Sequence, residues 1–240
     1  QFELLNQNQR KVSGIFQVRK NTPPSLRVTK ELRLNFTIGL IRRVFPDAKF
    51  VIVVRHPGAQ VTSILKMLRS GHLAELERSL LSLHVHLQDS RQFEKFAGHR
   101  ACLDREQVTC KSLLFWWLIN YQTAIEDCKR YNADYKIVFH EELSESPENE
   151  YQAIFSFLDI EFNDEVRAYL RHSTTGSKNN SDPAERSPLD TVRESAAYSK
   201  ATILEVDEKV RLEIAALFER FDVCDELTRY RSLAYDQPIS

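Results

Sequence analysis

Residues 49–54 read KFVIVV, and the run stops abruptly at Arg55-His56-Pro57. A short, unbroken apolar stretch rich in Val and Ile is the pattern of a strand covered on both faces, as in a parallel sheet. Pro57 has its φ fixed and no N–H to satisfy, which suits the first turn of a helix. Over 58–69, Val61, Ile64, Leu65 and Leu68 then recur at helical spacing. A strand feeding directly into a helix is α/β construction, and it restricts the chain to a parallel sheet flanked by helices.

The flanking segments follow the same logic. NTPPS at 21–25 is a turn between short extended pieces at 12–19 and 26–29. Residues 35–45 fit a helix stopped by Pro46-Asp47, and 74–96 fit a second amphipathic helix. A polar loop at 97–110 leads into a long apolar helix, 111–131, with Phe115, Trp116 and Trp117 as core. YKIVFH, 135–140, is another short strand. Ser146-Pro147 opens a helix to Leu158 with serine as cap, and Asn163-Asp164-Glu165 opens one to Arg171. STTGSKNNSDPAERSPLD, 173–190, is a polar loop, and the last helix, 203–221, turns Leu204, Val210, Ile214, Leu217 and Phe218 inward. Neither repeats nor a boundary interrupt this order, so 1–240 reads as one domain.

Charge narrows the partners. With 33 basic and 34 acidic residues the net charge is −1, which gives no overall attraction to nucleic acid or to an anionic membrane. Any anion site must therefore be local. The four cysteines, Cys102, Cys110, Cys128 and Cys224, form no CxxC pair, so a zinc ribbon is not expected. His84 and His86 do not share a helix face and have no third ligand in spacing, so no metal is expected. Cys102 and Cys110 are spaced for a disulfide in an oxidising compartment, and four free thiols fit the spacing equally well. Asn35-Phe36-Thr37 and Asn179-Asn180-Ser181 are glycosylation triplets, with Asn35 and Asn179 as acceptors.

The carboxyl end of a strand in an open parallel sheet is where ligands bind, and Arg55 stands there. Arginine presents a planar fork that matches phosphate oxygens, and the helix start beside it attracts anions. Ser63 lies two turns into that helix and offers a hydroxyl. Together they make a phosphate clamp without Walker glycines. From the residues alone, Arg55 ending the strand in a surface salt bridge with Ser63 as a helix-surface serine is the more common arrangement.

FPDAKFVIVVRHPGAQVTS resembles the 3′-phosphate-binding segment of sulfotransferases that use 3′-phosphoadenosine-5′-phosphosulfate (PAPS). That family has a strand, then Arg-(Asp or Asn)-Pro, then Ser eight residues after the Arg. Arg55, Pro57 and Ser63 match, while His56 departs. YKIVFHEELSESPENEYQAIFSFLDIEF, 135–162, is similar to the family's "v-Y-E-D-L-…-P-…-F-L-G" region. Glu141, Leu143, Pro147, Phe157 and Leu158 match; His140 replaces Tyr and Asp159 replaces Gly. A third block resembles the Golgi carbohydrate sulfotransferases, with Thr191, Arg193 and Ser195 in the places of "T-x-R-x-S". The resemblance covers about residues 26–220.

The resemblance implies a P-loop-NTPase-like sulfotransferase fold, N-terminally incomplete, and transfer of a sulfuryl group from PAPS to a hydroxyl or amine, with a carbohydrate as acceptor. Arg55 and Ser63 would hold the 3′-phosphate and Arg193 would reach a phosphate. Lys30 and Arg33 would face the sulfate or an acidic sugar, or form a solvated basic face. Full-length protein would sit in the Golgi lumen as a type II membrane protein. The family's R-S-G-T/S-T loop for the 5′-phosphosulfate has no counterpart in these residues, which leaves a second expectation: a non-catalytic nucleotide- or glycan-binding scaffold. No catalytic base can be assigned among His56, His99, His140, His172, Glu141 and Glu142.

Overall fold

A computed structural model describes residues 28, 34–69, 94–97, 102, 108–174, 203 and 206–232. The chain divides into two units, Gln1–Leu32 and Arg33–Ser240, and the architecture below belongs to the second. The expected strands at 12–19 and 26–29 (Val28 apart), most of the helix at 74–96 and the polar loop from 175 onward lie outside the described residues. So do Lys30, Arg33, Asn179 and Arg193.

A 3₁₀ turn, Leu34–Phe36, precedes helix α1 (Ile38–Val44), strand β1 (Lys49–Val54) and helix α2 (Pro57–Arg69). After the short α3 (Glu94–Ala97) come the long α4 (Cys110–Arg130) and strand β2 (Asp134–Phe139). Then follow α5 (His140–Glu145), α6 (Pro147–Phe157), α7 (Asp164–Thr174) and α8 (Glu208–Arg220). A 3₁₀ turn, Asp225–Leu227, and α9 (Arg229–Ser232) close the described chain. The two strands are parallel and in register, from Lys49 opposite Asp134 to Val54 opposite Phe139. A small parallel sheet flanked by helices is the α/β arrangement that the sequence implied.

Helix α4 is the centre of the packing. Fourteen of its twenty-one residues are buried, more than the single stripe of a surface helix. It packs against α1, α2, α8, the first 3₁₀ turn and β1. Phe115 and Trp117 are fully buried, as expected, and Trp116 is half-buried with its ring edge-on to Phe36. The helix starts on a capping box. Thr109 Oγ1 accepts from Ser112 N–H and Ser112 Oγ accepts from Thr109 N–H, a Thr-x-x-Ser signal that sequence reasoning passed over.

Both α4 and α6 end in Schellman turns. The N–H groups of Asn132 and Ala133 donate to Lys129 and Cys128 carbonyls, with Asn132 left-handed at φ 47. At the end of α6, Asp159 and Ile160 do the same to Ser156 and Phe155, with Asp159 at φ 57. This accounts for the departure at 159, where the resembled family has Gly. Asp is among the few residues with a side chain that visit the left-handed region, and here its carboxylate pairs with Lys49 Nζ, which also donates to Phe157 O.

Three expectations need correction. Ser146 precedes Pro147 at the start of α6, but its hydroxyl makes no capping bond; its ψ of 59 departs from the extended conformation that carries a cap's oxygen over the helix end. β1 is covered on one face only among the described residues: Ile52 and Val54 are buried while Val53 is 43% exposed. Cys102 and Cys110 are free thiols, not a disulfide. Both lie against α8 and share Glu213 as a neighbour: Cys110 has Asp207 and Lys209 nearby, and Cys102 lines a cavity with Leu217, Arg220 and Phe221. Burial pushes the Cys110 thiol up to about 11 and raises that of Cys102, which keeps both protonated.

The start of α2 sits tightly against the start of α8. A Cβ on Gly58 would lie 2.8 Å from Val206 Cγ1, beside the Asp207 that caps α8. Gly58→Ala is therefore expected to cost about 1–3 kcal/mol of stability by overpacking. Val206→Ala in the same chain should recover most of that loss, and urea denaturation of the single and double variants measures both.

Candidate functional site

Parallel, in-register strands bring their carboxyl ends together. Arg55 is the residue after Val54 and His140 the residue after Phe139, so the paired ends place the two next to each other. Each carries a buried nitrogen, Arg55 Nη2 and His140 Nδ1, that has no hydrogen-bond partner among the described residues. Burial first, then the Arg55 charge, lowers the pKa of His140, against a smaller upward pull from Glu141. Arg55 Nη2 is a donor on a permanent cation and lacks an acceptor, a need that a bound anion would meet; Nδ1 of a neutral His140 donates or accepts according to its tautomer.

The backbone that carries Arg55 is held on both sides of one peptide unit. Trp117 Nε1–H of α4 donates to the Arg55 carbonyl at 2.8 Å. The following N–H, that of His56, donates to Glu141 Oε1 at 2.8 Å. The other oxygen of Glu141 accepts from the Tyr230 hydroxyl, also at 2.8 Å. Tyr230 lies in α9, is 1% exposed, and meets His56, Trp117 and Phe139 edge-on. Burial first, then Glu141, pushes its hydroxyl far above the ordinary tyrosine range, so it stays a donor. Nearby, Arg229 stacks 3.8 Å over the Phe139 ring and pairs with Glu142 at 2.8 Å.

His56 departs from the family's Asp or Asn, and the structure explains how. Its Nδ1 accepts from Ala59 N–H at 3.2 Å, and its carbonyl accepts from Gln60 N–H. An imidazole thus performs the N-cap role that a carboxylate or amide performs elsewhere. Nδ1 can accept only in the neutral ring, with the proton on Nε2. His56 is 4% exposed, and burial takes its pKa from 6.5 to about 4; Glu141 opposes this, while Arg211 and Arg55 reinforce it.

Ser63 lies on α2, half-buried, at helical spacing from His56, Ala59 and Gln60. Gln60 Oε1 accepts from Tyr121 OH at 3.3 Å. Of the residues considered as bases, Glu141 has both oxygens committed to structure and His56 is spent as a cap. His140 opens α5 rather than ending β2, and His172 is exposed on α7. Asn35 Nδ2, the atom to which a glycan is joined, donates to Asn120 Oδ1 at 3.2 Å. Tyr230 was missed by sequence reasoning; its only signal is the spacing of Leu227 and Tyr230 in a polar run.

Residues 2–110 match the family model described as Sulfotransferase family. The match includes β1, Arg55, α2 and Ser63; Trp117, β2, Glu141 and Tyr230 fall beyond it. Neither the curated proteins nor the solved structures provide a match. Among the described residues, no group of three His, Cys, Asp or Glu could hold a metal ion, and no helix is long and apolar enough to cross a membrane.

The His56 cap makes stability depend on pH. Folding favours the neutral ring, since the folded value of about 4 lies below the ordinary 6.5. The contribution is complete above pH 6.5, is lost as the pH falls toward 4, and is constant below that. Between about pH 7.5 and 5 the loss should be roughly 2 kcal/mol. In His56→Asn, which keeps a capping acceptor but cannot titrate, that part of the pH dependence should vanish from denaturation curves.

Proposed function

We propose that the protein is a sulfotransferase that uses PAPS and sulfates a hydroxyl (or amine) of a carbohydrate. The observation that carries this reading is Arg55: a strand-end guanidinium with a buried nitrogen lacking any acceptor among the described residues, on a peptide unit fixed from both sides. The family match over 2–110 supports sulfuryl transfer in general. PAPS and the carbohydrate acceptor rest on the three blocks of resemblance.

The residues fit the 3′-phosphate of such a nucleotide. Arg55 would supply a charge-assisted bond at the strand end and Ser63 a hydroxyl from α2. Arg193 would reach a phosphate, and Lys30 and Arg33 would face the acceptor's sulfate or acidic sugar. When bound, PAPS supplies the sulfuryl group at its opposite end. What Arg55 contributes is remote binding energy, which fixes the nucleotide so that its reacting end is positioned. One domain over 1–240, and residence of the full-length protein in the Golgi lumen behind a membrane anchor, belong to the same reading. A non-catalytic nucleotide- or glycan-binding scaffold is the second reading. It is favoured by the lack of any Arg-Ser-Gly-Thr run in the 240 residues.

Calorimetry with 3′-phosphoadenosine-5′-phosphate tests the shared part. Wild-type chain should bind, and Arg55→Ala should bind about 10- to 100-fold more weakly, the worth of a charge-assisted hydrogen bond. A folded wild-type chain that does not bind would refute the nucleotide site and leave only the glycan-binding scaffold. Sulfation of a glycan panel with labelled PAPS then separates enzyme from non-catalytic relative.

A further inference from the structure

We infer that Glu141 and Tyr230 are positioning residues for Arg55, and that the segment around α9 thereby completes the phosphate site. The inference rests on the nucleotide reading above and assigns it two residues outside the matched stretch. The aim of a side chain is set by the plane of its own peptide group, and the Arg55–His56 peptide has a hydrogen bond at each end. Its carbonyl is held by Trp117 from the core. Its N–H is held by Glu141 Oε1, one residue beyond His140 at the end of the neighbouring strand. Glu141 could rotate about its own side-chain bonds if this were its only partner. Tyr230 removes that freedom by donating to Oε2, with its ring wedged among His56, Trp117 and Phe139.

The arrangement also sets the local charge. The carboxylate offsets Arg55 and Arg211 around His56 while its two oxygens bond to His56 N–H and the Tyr230 hydroxyl, so Arg55 Nη2 stays without a partner. A carboxylate turned loose in the same place would be a competing acceptor for Arg55. On this view the Tyr230 hydroxyl has a function that its ring does not share: it keeps Glu141 on the backbone and off the guanidinium.

The readout is the preference for the 3′-phosphate: the ratio of dissociation constants for adenosine 5′-phosphate and 3′-phosphoadenosine-5′-phosphate, measured on the full chain. Tyr230→Phe keeps the ring and removes the donor, and the ratio should fall about tenfold. Glu141→Leu should lower it at least as far. Glu141→Gln, which keeps an acceptor for His56 N–H, should retain most of the wild-type ratio. A purely structural role would lower thermal stability in Tyr230→Phe and leave the ratio unchanged, and that result would overturn the inference. Should Glu141→Leu fail to fold, Tyr230→Phe alone decides. A wild-type ratio of about one would overturn the nucleotide reading together with this inference, whereas a high ratio preserved in Tyr230→Phe would overturn this inference alone.

Discussion

A helix buried on most of its surface must find partners for the polar groups it carries, and α4 meets one of these needs at the end of the sheet. Trp117 is the decisive case. Its ring is fully enclosed, its N–H needs a partner, and the partner is the Arg55 carbonyl. The core and the site are thus joined by one bond. Anything that shifts α4 shifts the end of β1, and the position of Arg55 is a property of the core rather than of a loop. This is how a cation comes to stand with an unmatched nitrogen in a buried place: the backbone beneath it is fixed by interactions that do not involve its charge.

The second support is polar and comes from farther along the chain. Glu141 receives the backbone of one strand end and the hydroxyl of a distant tyrosine, and it uses both oxygens. His56 closes the set by capping α2 with a neutral ring. Three side chains of different chemistry therefore fix one turn, and each is buried or half-buried, so each bond forms where water does not compete with it.

Local patterns carried well from sequence to structure. β1, α2, α4 and α8 were legible because apolar spacing and helix signals fall within one window of residues. Arg55 was legible for the same reason: a cation closing an apolar run is a local fact. What could not be read was whatever depends on two distant segments meeting. Nothing in RHP says that an imidazole will accept from Ala59, and nothing in DELTRYRS says that Tyr230 will reach Glu141. The state of Cys102 and Cys110, left open between a disulfide and free thiols by their spacing and free in the structure, was out of reach for a related reason. Eight residues of spacing permit a loop, and whether the loop closes depends on how its segment packs against α8, which lies about a hundred residues on. The departures at 56 and 159, which weaken the resemblance when read as letters, keep the physical roles of a helix cap and a left-handed turn.

The Glu141–Tyr230 bond spans 89 positions of the chain. Contacts of that separation are costly to close and form late. A polypeptide leaves the ribosome from its N-terminal end, so β1, α2 and α4 can emerge and pack while α9 is still inside the exit tunnel. During that interval the guanidinium lacks the brace that fixes its backbone. The nascent protein would pass through a stage with a nearly finished core and an Arg55 backbone held from the core alone, and the brace would form only once α9 has emerged.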